Sequence, residues 1–203
     1  NSKALLEIQN KIKKEQHTKT TLVAVTKNHP ISAIKSAIEN KIYNIGENKV
    51  QETEEKLREY KKPPEMILHL IGHLQKNKVR KAIKIYDYIQ TVDSLALAKK
   101  INKIAQEENK TQKIFLQINI GNLENRYGFL TKEIEVAANI INLYKNISIE
   151  GIMIIPPLTN NNNKYLNYFK KAKDIQVKIK AKIKTCIGLS MGMTNDYVDA
   201  IRE

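Results

Sequence analysis

The chain has 203 residues, enough for one substantial core or two small ones. Hydrophobic residues make up 41% and charged residues 28%, with only 7 Gly and 5 Pro, which excludes a disordered, collagen-like or linker-rich chain. Lys and Arg total 35 against 21 Asp and Glu, a net charge of +14 that invites a polyanion partner. The lysines are nevertheless spread among abundant Ile and Asn, as in Asn160-Asn161-Asn162-Asn163-Lys164, so a composition bias explains the charge more simply.

In chain order, a Lys-rich amphipathic helix over 2–16 comes first, followed by seven short apolar runs of strand length. These are residues 21–26, 42–46, 66–72, 86–92, 114–120, 149–155 and 185–190, each rich in β-branched side chains. Helical patterns fill the gaps. One opens after Pro30 over 32–40, others cover 47–60, 76–84, 131–144 and 164–182, and one over 93–101 has Asp93 or Ser94 as its cap. Strand–helix alternation of this kind gives parallel βαβ units, which fit either a doubly wound sheet or a (β/α) barrel. An eighth barrel strand is missing from the sequence, which stops at Glu203 on an expected helix. No linker divides it, so one domain over 1–203 is expected.

The lone cysteine, Cys186, allows neither an intramolecular disulfide nor a cysteine metal site and fits a reducing compartment. His17, His29, His69 and His73 have no metal-ligand spacing, and His29 and His69 have no evident partner. No apolar run approaches the roughly 18 residues of a membrane helix, so no membrane association is expected. The cluster Lys76, Lys78, Arg80, Lys81 and Lys84 reads as a solvated helix face. With no Trp, 3 Phe and no nucleic-acid-binding motif, no nucleic-acid partner is expected either.

Ligands of both candidate architectures sit at the carboxyl ends of the strands. Lys27 ends the first run, and partial desolvation behind Val23, Ala24 and Val25 would favour a free amine able to form a Schiff base. The seventh run ends in Ser190-Met191-Gly192, a hydroxyl and a glycine ahead of a helix, which suits a phosphate. A plain turn capped by Thr194 or Asn195 is the alternative. Gly46 and Gly72 read as tight turns, with Asn48 and His73 able to face the strand mouth. Met153 and Ile155 share a face of the sixth run and read as core.

Four segments in order carry a resemblance. They are Leu22-Val23-Ala24-Val25-Thr26-Lys27, Gly46-Glu47-Asn48-Lys49-Val50-Gln51-Glu52, His69-Leu70-Ile71-Gly72-His73-Leu74-Gln75-Lys76-Asn77-Lys78 and Leu189-Ser190-Met191-Gly192-Met193-Thr194-Asn195-Asp196. Together with Thr91-Val92-Asp93-Ser94-Leu95 and Gly151-Ile152-Met153-Ile154-Ile155-Pro156-Pro157, they make the chain similar to the pyridoxal phosphate homeostasis protein family from about Lys3 to Glu203.

The resemblance implies a single-domain α/β fold, a TIM-type (β/α) barrel like the N-terminal domain of alanine racemase. It implies pyridoxal 5'-phosphate (PLP) as a Schiff base on Lys27, its phosphate on Ser190 and Gly192, and Asn48 and Met153 near the ring or Lys27. Arg126 stands where the family usually has Lys or another polar residue, and Thr26 replaces a common Ser. The family's eighth strand, with its Arg-Ile-Gly-type motif, is absent, which would leave two strand edges at an open seam. The implied role is a cytoplasmic monomer that stores PLP and delivers it to PLP-dependent apo-enzymes. A PLP-dependent racemase is the alternative, but it needs a second base for which no domain remains.

Overall fold

A computed structural model of the protein describes residues 2–17, 19–158 and 162–203. The chain alternates α1 (Ser2–Glu15), β1 (Ala24–Val25), α2 (Ile31–Glu39), β2 (Asn44–Glu47), α3 (Val50–Glu59) and β3 (Ile67–Leu70). A short 3-10 turn (Lys76–Lys78) leads into α4 (Val79–Ile85), β4 (Tyr88–Val92), α5 (Leu95–Glu107) and β5 (Gln112–Asn119). Then come β6 (Phe129–Leu130), α6 (Ile134–Ile141), β7 (Ile147–Ile154), α7 (Asn162–Lys182), β8 (Gly188–Ser190) and α8 (Tyr197–Arg202).

The helices form where an apolar stripe meets a good cap. Ser94 Oγ accepts the Leu97 N–H at 3.3 Å and so opens α5. That helix buries Leu97, Ala98, Ile101, Ile104 and Ala105, one stripe at helical spacing. Of the two caps expected there, Ser94 is the one used. Pro30 stands at the cap of α2 with extended backbone, as its fixed ring favours.

The strands pair in the order β1-β2-β3-β4-β5-β7-β8, all parallel, with β6 added beside the end of β5. Ile45, Leu68, Leu70, Leu116 and Ile152 are fully buried in the core shared with helix residues such as Ile34, Ile83, Ile101 and Phe169. Of the two architectures that the strand–helix alternation allows, the barrel is the one formed, for a simple geometric reason. In a flat sheet, three strand spacings of about 4.8 Å would part β4 from β8 by about 14 Å. Yet Ser190 Oγ on β8 lies 2.6 Å from Gln90 Oε1 on β4. Only a sheet curled into a cup allows that bond. Inside the cup His69 stacks on Tyr88 with ring centres 4.8 Å apart, and Tyr88 meets Phe115 edge-on at 6.1 Å. Gly151 leaves room for Phe115, since a β-carbon there would lie 2.6 Å from the ring.

No strand joins β8 to β1 among the described residues. Val25 is accordingly 47% exposed on its strand. The helices flanking this seam close it on the outside: α1 packs on α8, and Arg202 Nε meets Glu15 Oε2 at 2.8 Å.

Three readings depart from expectation. Gly46 is no tight turn: it lies within β2, in register with Val25 and His69. The run 21–26 shrinks to two paired residues because β1 has a partner on one side only. The strand β6 has no counterpart among the expected runs. Gly128, at φ +118, brings the chain back so tightly that a β-carbon would lie 2.5 Å from Asn119 N, and Phe129 and Leu130 then pair with Ile118 and Asn119.

Candidate site at the carboxyl rim

Parallel strands put all their carboxyl ends on one rim, and the loops there carry the candidate residues. Lys27 sits in the turn directly after β1. It is exposed rather than partly desolvated, because the whole turn from 27 to 30 is exposed. Its ammonium makes no hydrogen bond or ion pair among the described residues. The turn continues through Asn28 at φ 60, a left-handed conformation that Asn tolerates.

A buried charged network holds this turn from beneath. Lys56 Nζ, on α3, donates to Thr26 O at 2.8 Å, to Glu47 Oε1 at 2.7 Å and to Glu52 Oε1 at 2.8 Å. Thr26 Oγ1 donates to Glu47 Oε1 at 2.6 Å, and the Asn28 N–H donates to Glu52 Oε1 at 2.7 Å. Glu47 is fully buried, and its Oε2 has no hydrogen-bond partner. Burial works to lower the Lys56 pKa, but hydrogen bonds to Glu47 and Glu52 outweigh it and hold the amine above its ordinary value. Burial works likewise to raise Glu52, and the donors Lys56 and Asn28 bring it below its ordinary value.

The next two loops interlock. A β-carbon on Gly72 would lie 2.3 Å from Asn48 O, so only glycine lets the loop after β3 sit on Asn48. Thr91 Oγ1 adds a 2.7 Å bond to Gly72 O. Asn48 is thereby fixed half-buried at the rim. His73 Nδ1 lies 3.2 Å from Asp93 Oδ2, and its ring stacks on Tyr127 at 3.8 Å. Beside them a cleft of about 180 Å³ opens between Gln117, Asn119, Arg126, Tyr127 and Ile155, which is where Arg126 lies.

Met153 is buried on β7, in register with Gln117 on β5 and Ser190 on β8. After Ser190 the chain turns through Gly192 at φ +88, where a β-carbon would lie 2.9 Å from Ala200 Cβ. The turn is closed by Asp196, whose Oδ1 accepts the Met193 N–H, and not by Thr194 or Asn195. Burial pushes the Asp196 carboxyl up, against the hydrogen bond from Met193. The turn's own backbone bonds start from Asp196 and Tyr197 N–H, leaving the Gly192 N–H outside them.

A neutral hydrogen-bond chain runs under Ser190. Its hydroxyl donates to Gln90 Oε1, Gln90 Nε2 donates to His69 Nδ1 at 2.9 Å, and His69 Nε2 meets Asn44 Oδ1 at 3.0 Å. Burial drives the His69 pKa down to about 4, so the ring is neutral. His69, read from sequence as partnerless, thus has two partners. Sequence reasoning also missed Gln90, Asn44, Glu47 and Lys56. The available signal was period-two alternation, which puts Gln90 on the same face as Tyr88.

The rest of the surface fits the plain reading of the charge. Arg80 pairs with Glu107 and with Glu108, Lys81 with Glu54 at 2.8 Å and Lys84 with Glu108 at 3.5 Å. Cys186 is buried, and burial pushes its thiol up to about 12. No helix among the described residues is long and apolar enough to cross a membrane.

Comparison with known proteins agrees with this geometry. The family model for the N-terminal domain of alanine racemase matches residues 2–202. The pyridoxal phosphate homeostasis protein of Buchnera aphidicola from Schizaphis graminum is 32% identical over 197 residues, covering 96% of this chain and 86% of the relative. The Synechocystis protein of the same name is 35% identical, covering 89% of this chain and 83% of its own. Among solved structures, PipY of Synechococcus elongatus with PLP bound superimposes with a TM-score of 0.86 at 30% identity, covering 97% of this chain and 91% of PipY. The chain belongs to the pyridoxal phosphate homeostasis protein family, built on the alanine racemase N-terminal fold.

Proposed function

We propose that this protein binds PLP at the carboxyl rim and serves PLP homeostasis by storing and delivering the cofactor. When bound, PLP supplies an aldehyde that a primary amine can capture and a phosphate that calls for hydrogen-bond donors. The residues present fit such a group. Lys27 offers an exposed amine with no carboxylate partner to occupy it. Ser190 offers a hydroxyl, and Gly192 a backbone N–H left over by its turn. Asn48 stands in the loop after β2, and Met153 lies beside Ser190 near the end of β7, so both belong to the same end of the sheet. The Lys27 amine, without a counter-ion among the described residues, on a rim that also carries the Ser190–Gly192 turn, is the observation that carries the reading.

On the same reading the chain is one PLP-binding domain over 1–203, a cytoplasmic monomer handing its cofactor to PLP-dependent apo-enzymes. A family model that spans residues 2–202 favours the single domain. The buried, high-pKa Cys186 suits a reducing compartment.

The test is direct. Mixing the protein with PLP turns it yellow, and borohydride then fixes the added mass on the peptide containing Lys27. Lys27→Ala shows neither. A yellow, reducible species that persists in Lys27→Ala overturns the assignment.

A further inference from the structure

The chain Ser190–Gln90–His69–Asn44 has one self-consistent direction as it stands. A carbonyl oxygen cannot donate, so the Ser190 hydroxyl donates to Gln90 Oε1 at 2.6 Å. The other end of that amide then donates to His69 Nδ1, which must be bare. The ring proton therefore sits on Nε2 and points at Asn44 Oδ1. His69 and Gln90 are 6% and 3% exposed, so water does not stand in for a lost partner.

Only one other direction satisfies all four groups. If both amides turn over and the imidazole proton moves to Nδ1, then His69 donates to Gln90, Gln90 donates to Ser190, and Asn44 donates to Nε2. Ser190 keeps its bonds but has its own proton free. An anion accepts and cannot donate. Once Ser190 gives its proton to a phosphate, the first direction would leave Gln90 Oε1 facing a bare hydroxyl oxygen. That is two acceptors in contact, and the second direction relieves it.

We propose that this chain is a two-state relay in which a phosphate at Ser190 reverses every hydrogen bond and moves the His69 proton from Nε2 to Nδ1. One proton leaves Nε2 and one arrives at Nδ1 from solvent during a transient opening of the chain, so the net charge is unchanged. Gln90 and His69 are then positioning residues: they aim the Ser190 hydroxyl and register occupancy on β3, on the far side of the cup. The inference rests on the PLP reading above and adds to it the state of three residues behind Ser190, namely Gln90, His69 and Asn44, whose role no cofactor contact requires.

The experiment is a long-range 1H–15N correlation of the His69 ring, assigned with His69→Gln, on the protein alone, with PLP and with pyridoxal, which has the aldehyde but no phosphate. The expected result is an Nε2–H ring alone and with pyridoxal, and an Nδ1–H ring with PLP. In Ser190→Ala the tautomer no longer responds to PLP. PLP that colours Lys27 while His69 keeps its Nε2 proton overturns the relay and leaves the cofactor reading standing. A switch produced equally by pyridoxal also overturns it. Absence of any yellow complex overturns both.

Discussion

The Lys27 turn and the Ser190 turn share one rim but are held by opposite polar chemistry. Under Lys27 lies a cation between two carboxylates, with Lys56 and Glu47 almost fully buried. Under Ser190 lies a chain of uncharged groups ending on a neutral histidine. A buried ion pair is rigid, because removing either member strands a charge in low dielectric. A neutral chain can reverse its direction without stranding anything. The rim thus pairs a fixed turn, carrying a free amine, with an adjustable hydroxyl.

The largest expected effect tests the charged side. Lys56→Met strands Glu47 and Glu52 and should cost about 3–5 kcal/mol in urea unfolding. It also removes the bond to Thr26 O that positions the Lys27 turn, so PLP colour should weaken even in the folded fraction. A loss below about 1 kcal/mol would mean that the network does not anchor that turn. Gln90→Leu tests the neutral side. It leaves Ser190 and His69 each short of one partner, with an expected cost of about 1–3 kcal/mol. The comparison fails if the two variants rank the other way.

The pH dependence sharpens the same contrast. Lys56 is held above its ordinary value of 10.5, so its contribution is complete below that pH and is lost as pH rises through the folded value. Glu52 is held below its ordinary value of 4.5, so its contribution is complete above that pH and is lost as pH falls through the folded value. Wild-type urea midpoints should fall off at both extremes. Lys56→Met should flatten the alkaline limb, while Gln90→Leu leaves both limbs as they are.

The sequence made the neutral scaffold legible and left most of the polar wiring dark. Strand runs such as residues 114–120 stand out because β-branched residues cluster there, and β5 does fall there, starting two residues earlier. The rim position of Lys27, Ser190 and Gly192 was legible because all three lie at or just past the carboxyl ends of expected strands, where a barrel displays its ligand groups. His69 was not, since its partners Asn44 and Gln90 come from other strands and Ser190 lies 100 residues beyond Gln90. Glu47 and Lys56 fell inside one helical stretch, 47–60, where Glu52 and Lys56 look like an ordinary surface pair. Only the end of β2 at Glu47, a tertiary fact, turns them into a buried anchor.

Effects should be smallest at Arg80 on the exposed face of α4, whose ion pairs are with Glu107 and Glu108 and with no member of either anchor. Arg80 bridges Glu107 and Glu108 in solvent, and these acids, with Glu54 beside Lys81, offset part of the cluster that the net charge of +14 brings to mind. Arg80→Ala should leave the PLP colour unchanged and shift the melting temperature only slightly, less so as salt rises. Heparin retention should be weak in wild type, fall steeply with salt and ignore PLP. Retention that PLP competes away, or that collapses in Arg80→Ala at constant salt, would show that the charge on this face is selected for a partner rather than carried as composition.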